Sequence, residues 1–418
     1  MIYPIRCSHC MSTFNHDDVH FRASHYKEWI KDPLPKIIDG SGVIDEKLNQ
    51  YYKRIHSDQD ARLKKAIDTK SAAIQKNYSE EGMLIGIVDD FKEPTTQRLC
   101  PNCHNDIPEF SGRLPHFFIA LIGETSVGKT VYMSALAATL FPGDAKDNHV
   151  GVSIKPADLK TLNWFKSVYT KMFEKQLLPS STQRERIEPI HLNIGNKAIV
   201  SIYDAAGEGI RRLEDRKSYL VHLQNSDGYI ILVDPYETTM RARVKDIHGE
   251  VTTQKDEHII ENNIRWMLPE LSTTDDVKTE KPVAITLSKS DLLKSLLIDS
   301  STLHSNSTLY TQSSHREFLN LSMIDTIDYE VTKLLKASYS QFITVIQGYL
   351  SNYKCFAVSS IGLDTHISSS DQNVYTLSCR PRPLRVEEPI LWILYKLDLI
   401  KGSSPSLQRP NILNRIFG

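Results

Sequence analysis

The chain has 418 residues, of which 40% are hydrophobic and 24% charged, a composition typical of globular proteins. This length predicts two or three domains. The formal net charge of −1 excludes an overall electrostatic attraction to nucleic acid or to an anionic membrane. No run of 18 apolar residues is present, so no membrane span is expected, and the cysteine usage is typical of a reducing, cytoplasmic location.

Two Cys-x-x-Cys pairs lie near the N-terminus, Cys7 with Cys10 and Cys100 with Cys103. Each pair places two thiolates on one side of a turn, and two such turns complete a tetrahedral Zn²⁺ site. The flanking residues resemble zinc-ribbon knuckles, so the pairs predict structural zinc. A redox dithiol is the alternative.

The two pairs are 89 residues apart, which is far more than a zinc ribbon needs. Residues 44–82 between them are rich in Lys, Glu, Asp, Gln and Ala and contain no proline. This composition predicts one or two exposed helices. We therefore expect a zinc-ribbon module at 1–112 with a helical insertion at about 26–96.

From His116 onward the pattern changes to that of an α/β domain. Continuous apolar runs predict strands buried on both faces, at residues 117–122, 198–203, 228–233, 283–287 and 356–358. Helical stretches separate most of these runs, which predicts a mainly parallel sheet flanked by helices. We place this domain at 113–402, with insertions at about 142–186, 235–281 and 297–352, and a C-terminal tail at 403–418.

A complete G-x-x-x-x-G-K-[ST] motif follows the first of these strands. Its backbone N–H groups and the start of the next helix suit phosphate oxygens. Lys129 is predicted to contact the β- and γ-phosphates, and the Thr130 hydroxyl to bind Mg²⁺. The motif predicts a P-loop nucleotide site formed by Gly123, Glu124, Thr125, Ser126, Val127, Gly128, Lys129 and Thr130.

The strand at 198–203 runs into Asp204-Ala205-Ala206-Gly207, a D-x-x-G sequence. An Asp at the end of a strand can hold Mg²⁺ through water, and the Gly207 amide can contact the γ-phosphate. Glu208 comes next and would orient or deprotonate the attacking water, although its charge also repels phosphate. We therefore expect hydrolysis to be slow or to depend on a partner.

The strand at 283–287 runs into Ser288-Lys289-Ser290-Asp291. This sequence resembles the [NT]-K-x-D motif of the TRAFAC class, the Ras-like and translation-factor GTPases. A carboxylate at Asp291 can accept hydrogen bonds from guanine N1–H and N2–H₂, which adenine cannot supply in that arrangement. The Lys289 stem is expected to pack on the flat face of the base. Ser288 departs from the motif because the family has Asn or Thr there.

The same resemblance implies further site residues. Ser359 and Ser360 occupy the place of the family's base loop, S-A-[KL]. Thr182 lies where a switch threonine would contact Mg²⁺ and the γ-phosphate, with Ser180 or Ser181 as alternatives. Residues 115–400 as a whole resemble a TRAFAC GTPase domain. The segment from Pro383 to Leu394 is similar to the closing helix of double-GTPase-type proteins from bacterial conflict, or antiviral-defence, systems.

These resemblances imply a protein that binds GTP and GDP and hydrolyses GTP with Mg²⁺. We expect it to act as a switch or assembly factor, read by protein partners through the switch segments, the zinc module or the insertions. A nucleotide-dependent dimer is typical of the class, and nucleic acid is not indicated. Two alternatives are an ATP-hydrolysing P-loop protein and a nucleotide-binding scaffold with negligible turnover.

Overall fold

The structure is a computed structural model, and residue contacts divide it into two units. The first unit comprises 1–122, 155–164 and 182–227, and the second 123–154, 165–181 and 228–418. The described residues are 2–30, 34–55, 57, 59–70, 74–123, 127–141, 149–179, 189–206, 216–235, 267–271, 278–293, 307–313, 315, 317–363, 365, 367–369 and 375–403.

Short antiparallel strands and one helix, α1 (Glu46–Arg54), form the N-terminal part of the first unit. The sheets have the orders β1-β2, β12-β3-β8, β11-β10-β9, β4-β5 and β6-β7. The strands are β1 (Ile5–Arg6), β2 (Thr13–Phe14), β3 (His20–Arg22), β4 (Lys27–Ile30), β5 (Lys36–Asp39), β6 (Val43–Ile44), β7 (Arg62–Leu63), β8 (Ala66–Asp68), β9 (Gln75–Tyr78), β10 (Leu84–Val88), β11 (Pro94–Thr95) and β12 (Arg98–Leu99).

The prediction of a helical insertion at about 26–96 was wrong over most of its length. Within 44–82, α1 is the helix that forms, because the Asp45 side chain caps it by accepting from the Leu48 amide at 3.2 Å and because Leu48 and Tyr51 are buried. The rest of the described insertion is strand and turn. Its strands pair with segments that are distant in the chain, as β8 does with β3. Local composition cannot predict such pairing.

Seven strands of different lengths form the central sheet, in the order β14-β15-β16-β13-β17-β18-β19. They are β13 (His116–Gly123), β14 (Ile154–Pro156), β15 (Ile190–Ile194), β16 (Ala198–Ala206), β17 (Gly228–Val233), β18 (Val283–Leu287) and β19 (Tyr353–Ala357). The strands β17, β18 and β19 pair in parallel, and β15 with β16 form an antiparallel pair. This mainly parallel sheet with its flanking helices confirms the predicted α/β class.

The connection between β15 and β16 is a tight turn at Gly195 and Asn196, which have φ values of 58° and 55°. These are the first two residues of a three-residue connection, and a turn with positive φ at both central positions is adopted by glycine and asparagine at little cost. In the second unit, β17 and β18 are buried at every residue, as the continuous apolar runs predict.

The remaining helices and strands complete the described fold. They are α2 (Lys129–Leu140), α3 (Leu159–Tyr169), α4 (Arg216–Gln224), α5 (Leu321–Ser338), α6 (Ser340–Tyr349), α7 (Glu388–Lys396), β20 (Ile367–Ser369) and β21 (Tyr375–Leu377). Among the residues placed by the structure, none of the helices combines the length and apolar character needed to cross a membrane.

Candidate functional site

The P-loop segment leaves β13 at Gly123 and enters α2 at Lys129. Gly128 caps α2 with φ of 95°, which strains any residue with a side chain. A Cβ at Gly123 would lie 2.8 Å from Val127 Cγ1, so this position has no room for one. The glycines of the motif are therefore required by backbone conformation at one end and by close packing at the other.

Lys129 and Thr130 are the first two residues of α2, so they lie where the unpaired N–H groups of the helix begin. The Lys129 ammonium donates to the Gly123 carbonyl at 2.6 Å. This contact turns the lysine side chain back toward the end of β13. A helix start with these backbone donors and a cation beside it suits a phosphate group.

The S-K-x-D segment follows β18 and is held to the neighbouring strands by its backbone. The Ser288 amide donates to the Val233 carbonyl at 2.8 Å, and the Ser290 amide donates to the Val358 carbonyl at 3.0 Å. The Ser288 hydroxyl also donates to Val233, at 3.2 Å, and its residue is buried. The hydroxyl therefore fixes the loop to β17.

Asp291 is positioned by the base loop. The Ser359 hydroxyl donates to Asp291 Oδ1 at 2.6 Å and accepts from the Gly362 amide at 2.9 Å. One Asp291 oxygen is thus held from behind by a buried serine. A carboxylate fixed in this way can accept hydrogen bonds from N–H donors on a planar base.

Ser359 is in turn anchored by a β-bridge to Leu384, with N–H···O distances of 3.0 and 2.8 Å. Beside the bridge, the buried Arg385 forms an ion pair with Glu388 at the start of α7 and donates to the Thr308 carbonyl at 2.9 Å. His315 Nε2 lies 3.2 Å from the same Glu388 carboxylate. The base loop is therefore backed by a charged cluster that includes part of the predicted insertion 297–352.

The four N-terminal cysteines form one cluster in the first unit. Their sulfurs all lie within 4.8 Å of one another, with Cys7–Cys103 at 3.7 Å and Cys10–Cys100 at 3.6 Å. Zn–S bonds of about 2.3 Å in a tetrahedron give sulfur separations of about 3.8 Å, whereas a disulfide needs about 2.05 Å. The four cysteines lie close enough together to hold a metal ion.

The two cysteine turns have matching backbone geometry. Met11 and His104, each following the second cysteine of its pair, have φ of 62° and 54°. Their amides donate to the carbonyls of Cys7 and Cys100, both at 3.0 Å. Contacts with the other three sulfurs, together with burial, raise the pKa of the Cys7 thiol well above its ordinary value. A cation is what allows such a cluster to hold several thiolates.

The insertion returns to the second cysteine turn through Asp45. His104 Nδ1 donates to Asp45 Oδ1, and Arg22 donates to Oδ2, both at 2.7 Å. Burial opposes the charged carboxylate, but these hydrogen bonds outweigh it and lower the pKa of Asp45 to about 2. Asp45, which caps α1, thus also holds the second cysteine turn. This contact explains how the two cysteine pairs can lie together despite the long insertion between them.

Comparison with known proteins identifies the family. The profile named Double-GTPase 2 matches residues 117–339, which is more than half of the chain. The chain belongs to the Double-GTPase 2 family. Membership in this GTPase family confirms the predicted P-loop GTPase relationship and indicates guanine-nucleotide binding. The predicted zinc ribbon stays a prediction.

This Double-GTPase 2 member was also compared with solved structures and with curated proteins. The small GTPase Arl6 (BBS3) of Trypanosoma brucei, solved with the nucleotide analogue GppNp, aligns with 68% of this chain and 98% of its own. The identity is 10% and the TM-score 0.27, a likeness too low for comparing individual residues. The search of curated proteins found no match.

Within this Double-GTPase 2 chain, the described part of the predicted nucleotide site lies on three segments of the second unit. The first contains Gly123 and residues 127–130, the second residues 288–291, and the third Ser359 with the half-buried Ser360. The hydrogen bond between Ser359 and Asp291 joins the second and third segments. The structure describes Asp204 by its backbone alone, within β16. The predicted residues outside the described part are Glu124, Thr125, Ser126, Thr182, Gly207 and Glu208.

Sequence reasoning missed two side chains next to the S-K-x-D segment. Asp234, which is 2% exposed, lies 2.6 Å from Lys289 Nζ through Oδ2. Tyr310 lies near Asp291, and its burial and the charge of that carboxylate raise the pKa of the phenol. The position of Asp234 directly after a buried strand was a usable signal. Tyr310 lies in an insertion whose course the sequence does not predict.

Proposed function

We propose that this chain binds GTP, hydrolyses it to GDP and phosphate with Mg²⁺, and acts as a nucleotide-controlled switch or assembly factor for partner proteins. The hydrogen bond from Ser359 to Asp291 carries the proposal, because it joins the S-K-x-D segment to the base loop. A scaffold that held only phosphates would have no use for this fixed carboxylate. Family membership points to the same nucleotide.

The phosphates and the base would be held by different groups of residues. Gly123 to Thr130 would surround the phosphates, with Lys129 contacting the β- and γ-phosphates. Asp291 would read the guanine edge, the Lys289 stem would pack on the base, and Ser288, Ser359 and Ser360 would shape the base pocket. Mg²⁺ would bind Thr130, Thr182 and Asp204, and its role would be to neutralise the phosphate charge.

Hydrolysis would use Lys129, Thr182, Gly207 and Glu208. A lysine at the β- and γ-phosphates stabilises charge that develops in phosphoryl transfer. Glu208 would orient the attacking water, as a glutamine does in Ras-like proteins. Its negative charge beside phosphate is the reason to expect slow turnover, or turnover that depends on a partner.

The four cysteines would hold one structural Zn²⁺. Sulfur separations of 3.6 and 3.7 Å and the matched turns support this assignment over a redox dithiol. The cysteines lie in the core of the N-terminal part, among Ile5, Phe21, Leu84 and Ile87. The metal would therefore stabilise a module with a small core of its own.

The organisation and setting of the protein are part of the same proposal. The parts would be a zinc module at 1–112, a GTPase domain at 113–402 and a tail at 403–418, in the TRAFAC class. Protein partners would read the nucleotide state, and the active species would be a nucleotide-dependent dimer in the cytoplasm. A role in bacterial antiviral defence follows from the resemblance of the closing helix.

The direct test is calorimetric titration of the full chain with GTP, GDP and ATP in the presence of Mg²⁺. The proposal expects GTP and GDP to bind at least tenfold more tightly than ATP, and phosphate to be released slowly from GTP. Equal binding of ATP would favour the ATP-hydrolysing alternative. Tight GTP binding without any phosphate release, alone or with partners, would favour the scaffold.

A further inference from the structure

The first cysteine turn contacts the chain on both sides of the D-x-x-G segment. We call residues 5–14, which comprise β1, the Cys7–Cys10 turn and β2, the first knuckle. On one side, the Tyr203 hydroxyl donates to Met11 Sδ at 3.3 Å, and Tyr203 directly precedes Asp204 in β16. On the other side, His222 Nε2, in α4, donates to the His9 carbonyl at 3.0 Å.

Arg6 adds a third attachment at the end of α4. Its guanidinium donates to the Asn225 carbonyl at 2.7 Å and to Asp227 Oδ2 at 2.7 Å. The same guanidinium lies 4.4 Å from the ring centroid of Phe118, in β13. The first knuckle is therefore bonded to the residues that follow α4 as well as to α4 itself.

The contacts of Tyr203 and His222 involve buried side chains that also contact each other. Tyr203 and His222 are both buried, and their rings meet edge to face with centroids 5.5 Å apart. Tyr203, His222, His9 and Met11 thus form one linked cluster in the first unit. A buried hydrogen bond is costly to break because the freed groups lose their partners without gaining water.

The residues that make these contacts depend on the metal turn for their own positions. His9 lies between the two cysteines of the first pair, and its amide donates to Cys7 Sγ at 3.4 Å. Met11 follows Cys10 with positive φ and is held by its bond to the Cys7 carbonyl. A metal that fixes Cys7 and Cys10 therefore also fixes the two groups that meet Tyr203 and His222.

We propose that the first knuckle holds the chain at Tyr203, directly before the D-x-x-G segment, and at His222, beyond that segment, so that metal binding by the four cysteines is thermodynamically coupled to the nucleotide state. The inference rests on the proposed function, in which Asp204 and Gly207 respond to the γ-phosphate. Coupling of this kind is reciprocal: whatever the nucleotide does to metal affinity, the metal does to nucleotide affinity. Typical coupling changes an affinity by about 5–150-fold.

The test measures the zinc affinity of the full-length protein by competition with the chromophoric chelator 4-(2-pyridylazo)resorcinol. Affinities are compared with saturating GDP and with a non-hydrolysable GTP analogue, both with Mg²⁺. We expect the two affinities to differ at least about fivefold in the wild type. In His222→Ala the ratio should approach one. Tyr203→Phe, which removes one oxygen atom, should lower the ratio and serves if His222→Ala does not fold.

His25→Ala is the matched control. His25 belongs to the same N-terminal part, donates through Nε2 to Asp89 at 2.7 Å and packs on Phe91, outside the first knuckle. Its removal costs two side-chain hydrogen bonds, the one to Asp89 and the one that Nδ1 accepts from the Lys27 amide at 2.8 Å, without touching the cluster of Tyr203, His222, His9 and Met11, so the wild-type ratio should persist. An equal loss of the ratio in His25→Ala and His222→Ala would mean general destabilisation and would overturn the proposal.

The remaining outcomes separate this inference from the proposed function. Equal zinc affinities with the two nucleotides in the wild type, with calorimetry showing both guanine nucleotides bound, would overturn the coupling and leave GTP binding intact. A wild-type protein that binds no zinc would overturn the coupling and the proposed zinc site, and would leave GTP binding intact. Failure to bind guanine nucleotides would overturn both.

Discussion

Lys289 Nζ lies 2.6 Å from Oδ2 of the buried Asp234, and this ion pair joins the segments that follow β17 and β18. The pair fixes the lysine whose stem is proposed to pack on the guanine base. A charge-assisted bond of this length is stronger than a neutral one, and its geometry limits where the stem can lie.

Asp234→Asn should therefore weaken GTP binding by about tenfold, or about 1.4 kcal/mol, because the Lys289 ammonium loses a charged acceptor. Calorimetric titration with GTP and Mg²⁺ measures the change. Asp325→Asn is the control, since Asp325 pairs with Lys354 at 2.9 Å but its side chain is 67% exposed, and it should change the affinity less than twofold. Unchanged GTP affinity in Asp234→Asn would mean that the pair does not position the lysine.

Gly128 and Gly348 allow a second comparison. Among the residues that the structure describes, an added Cβ at either position meets no atom within 4 Å, but Gly128 has φ of 95° and Gly348 lies within α6. Gly128→Ala should destabilise the fold by about 1–2 kcal/mol through backbone strain, whereas Gly348→Ala should stabilise it by up to about 1 kcal/mol. Denaturant unfolding measures both. Equal effects in the two variants would contradict the assigned left-handed conformation of Gly128.

The parts of the fold that local sequence determines were predictable. The apolar runs at 228–233 and 283–287 became β17 and β18 without a shift of either boundary, because strands buried on both faces leave an unbroken apolar pattern. The P-loop was predictable for a similar reason. Its backbone conformation demands glycine at fixed positions.

Features that depend on distant partners were not predictable. The exposed-helix interpretation of residues 44–82 failed because strands such as β8 are stabilised by pairing with β3, over 40 residues away in the chain. Asp234 and Lys289 are 55 residues apart, and no local pattern links an acidic residue after one strand to a lysine after the next. The hydrogen bond between His9 and His222 spans 213 residues, and for the same reason the periodicity of the sequence cannot predict it.

The pH dependence of stability should reflect two buried histidines in the first unit. His116 Nε2 and His191 Nδ1 each lie 2.6 Å from the Ser201 hydroxyl. Burial lowers the pKa of His191 to about 4 and that of His116 well below its ordinary value. Both are neutral in the folded protein, whereas the unfolded chain takes up protons below a pH of about 6.5.

Stability should therefore be complete above a pH of about 6.5 and fall as the pH is lowered toward 4. His191 alone should contribute a loss of roughly 2 kcal/mol between pH 6.5 and pH 5. Urea unfolding followed by circular dichroism at pH 7, 6 and 5 measures the slope, and His191→Asn should make it shallower. A slope that is the same in both proteins would exclude His191 as a source of the acid sensitivity.

Metal content tests the cysteine cluster. Purified protein should contain one zinc ion per chain, and Cys100→Ser should lose most of it and lower the unfolding temperature, because the metal bridges the two cysteine turns. Cys379→Ser is the control, since this exposed cysteine lies outside the cluster and its loss should leave the zinc content unchanged. Full zinc content in Cys100→Ser would show that the metal, if bound, is held elsewhere.

The most direct test of guanine recognition exchanges the base-reading carboxylate for an amide. Guanine offers N1–H and N2–H₂ donors to Asp291, whereas xanthine offers N1–H and a C2 carbonyl that suit an asparagine. Calorimetry with Mg²⁺ should show the wild type preferring GTP over xanthosine triphosphate by at least about 100-fold, and Asp291→Asn reversing that preference. If Asp291→Asn kept its GTP affinity and gained none for xanthosine triphosphate, Asp291 would not read the base.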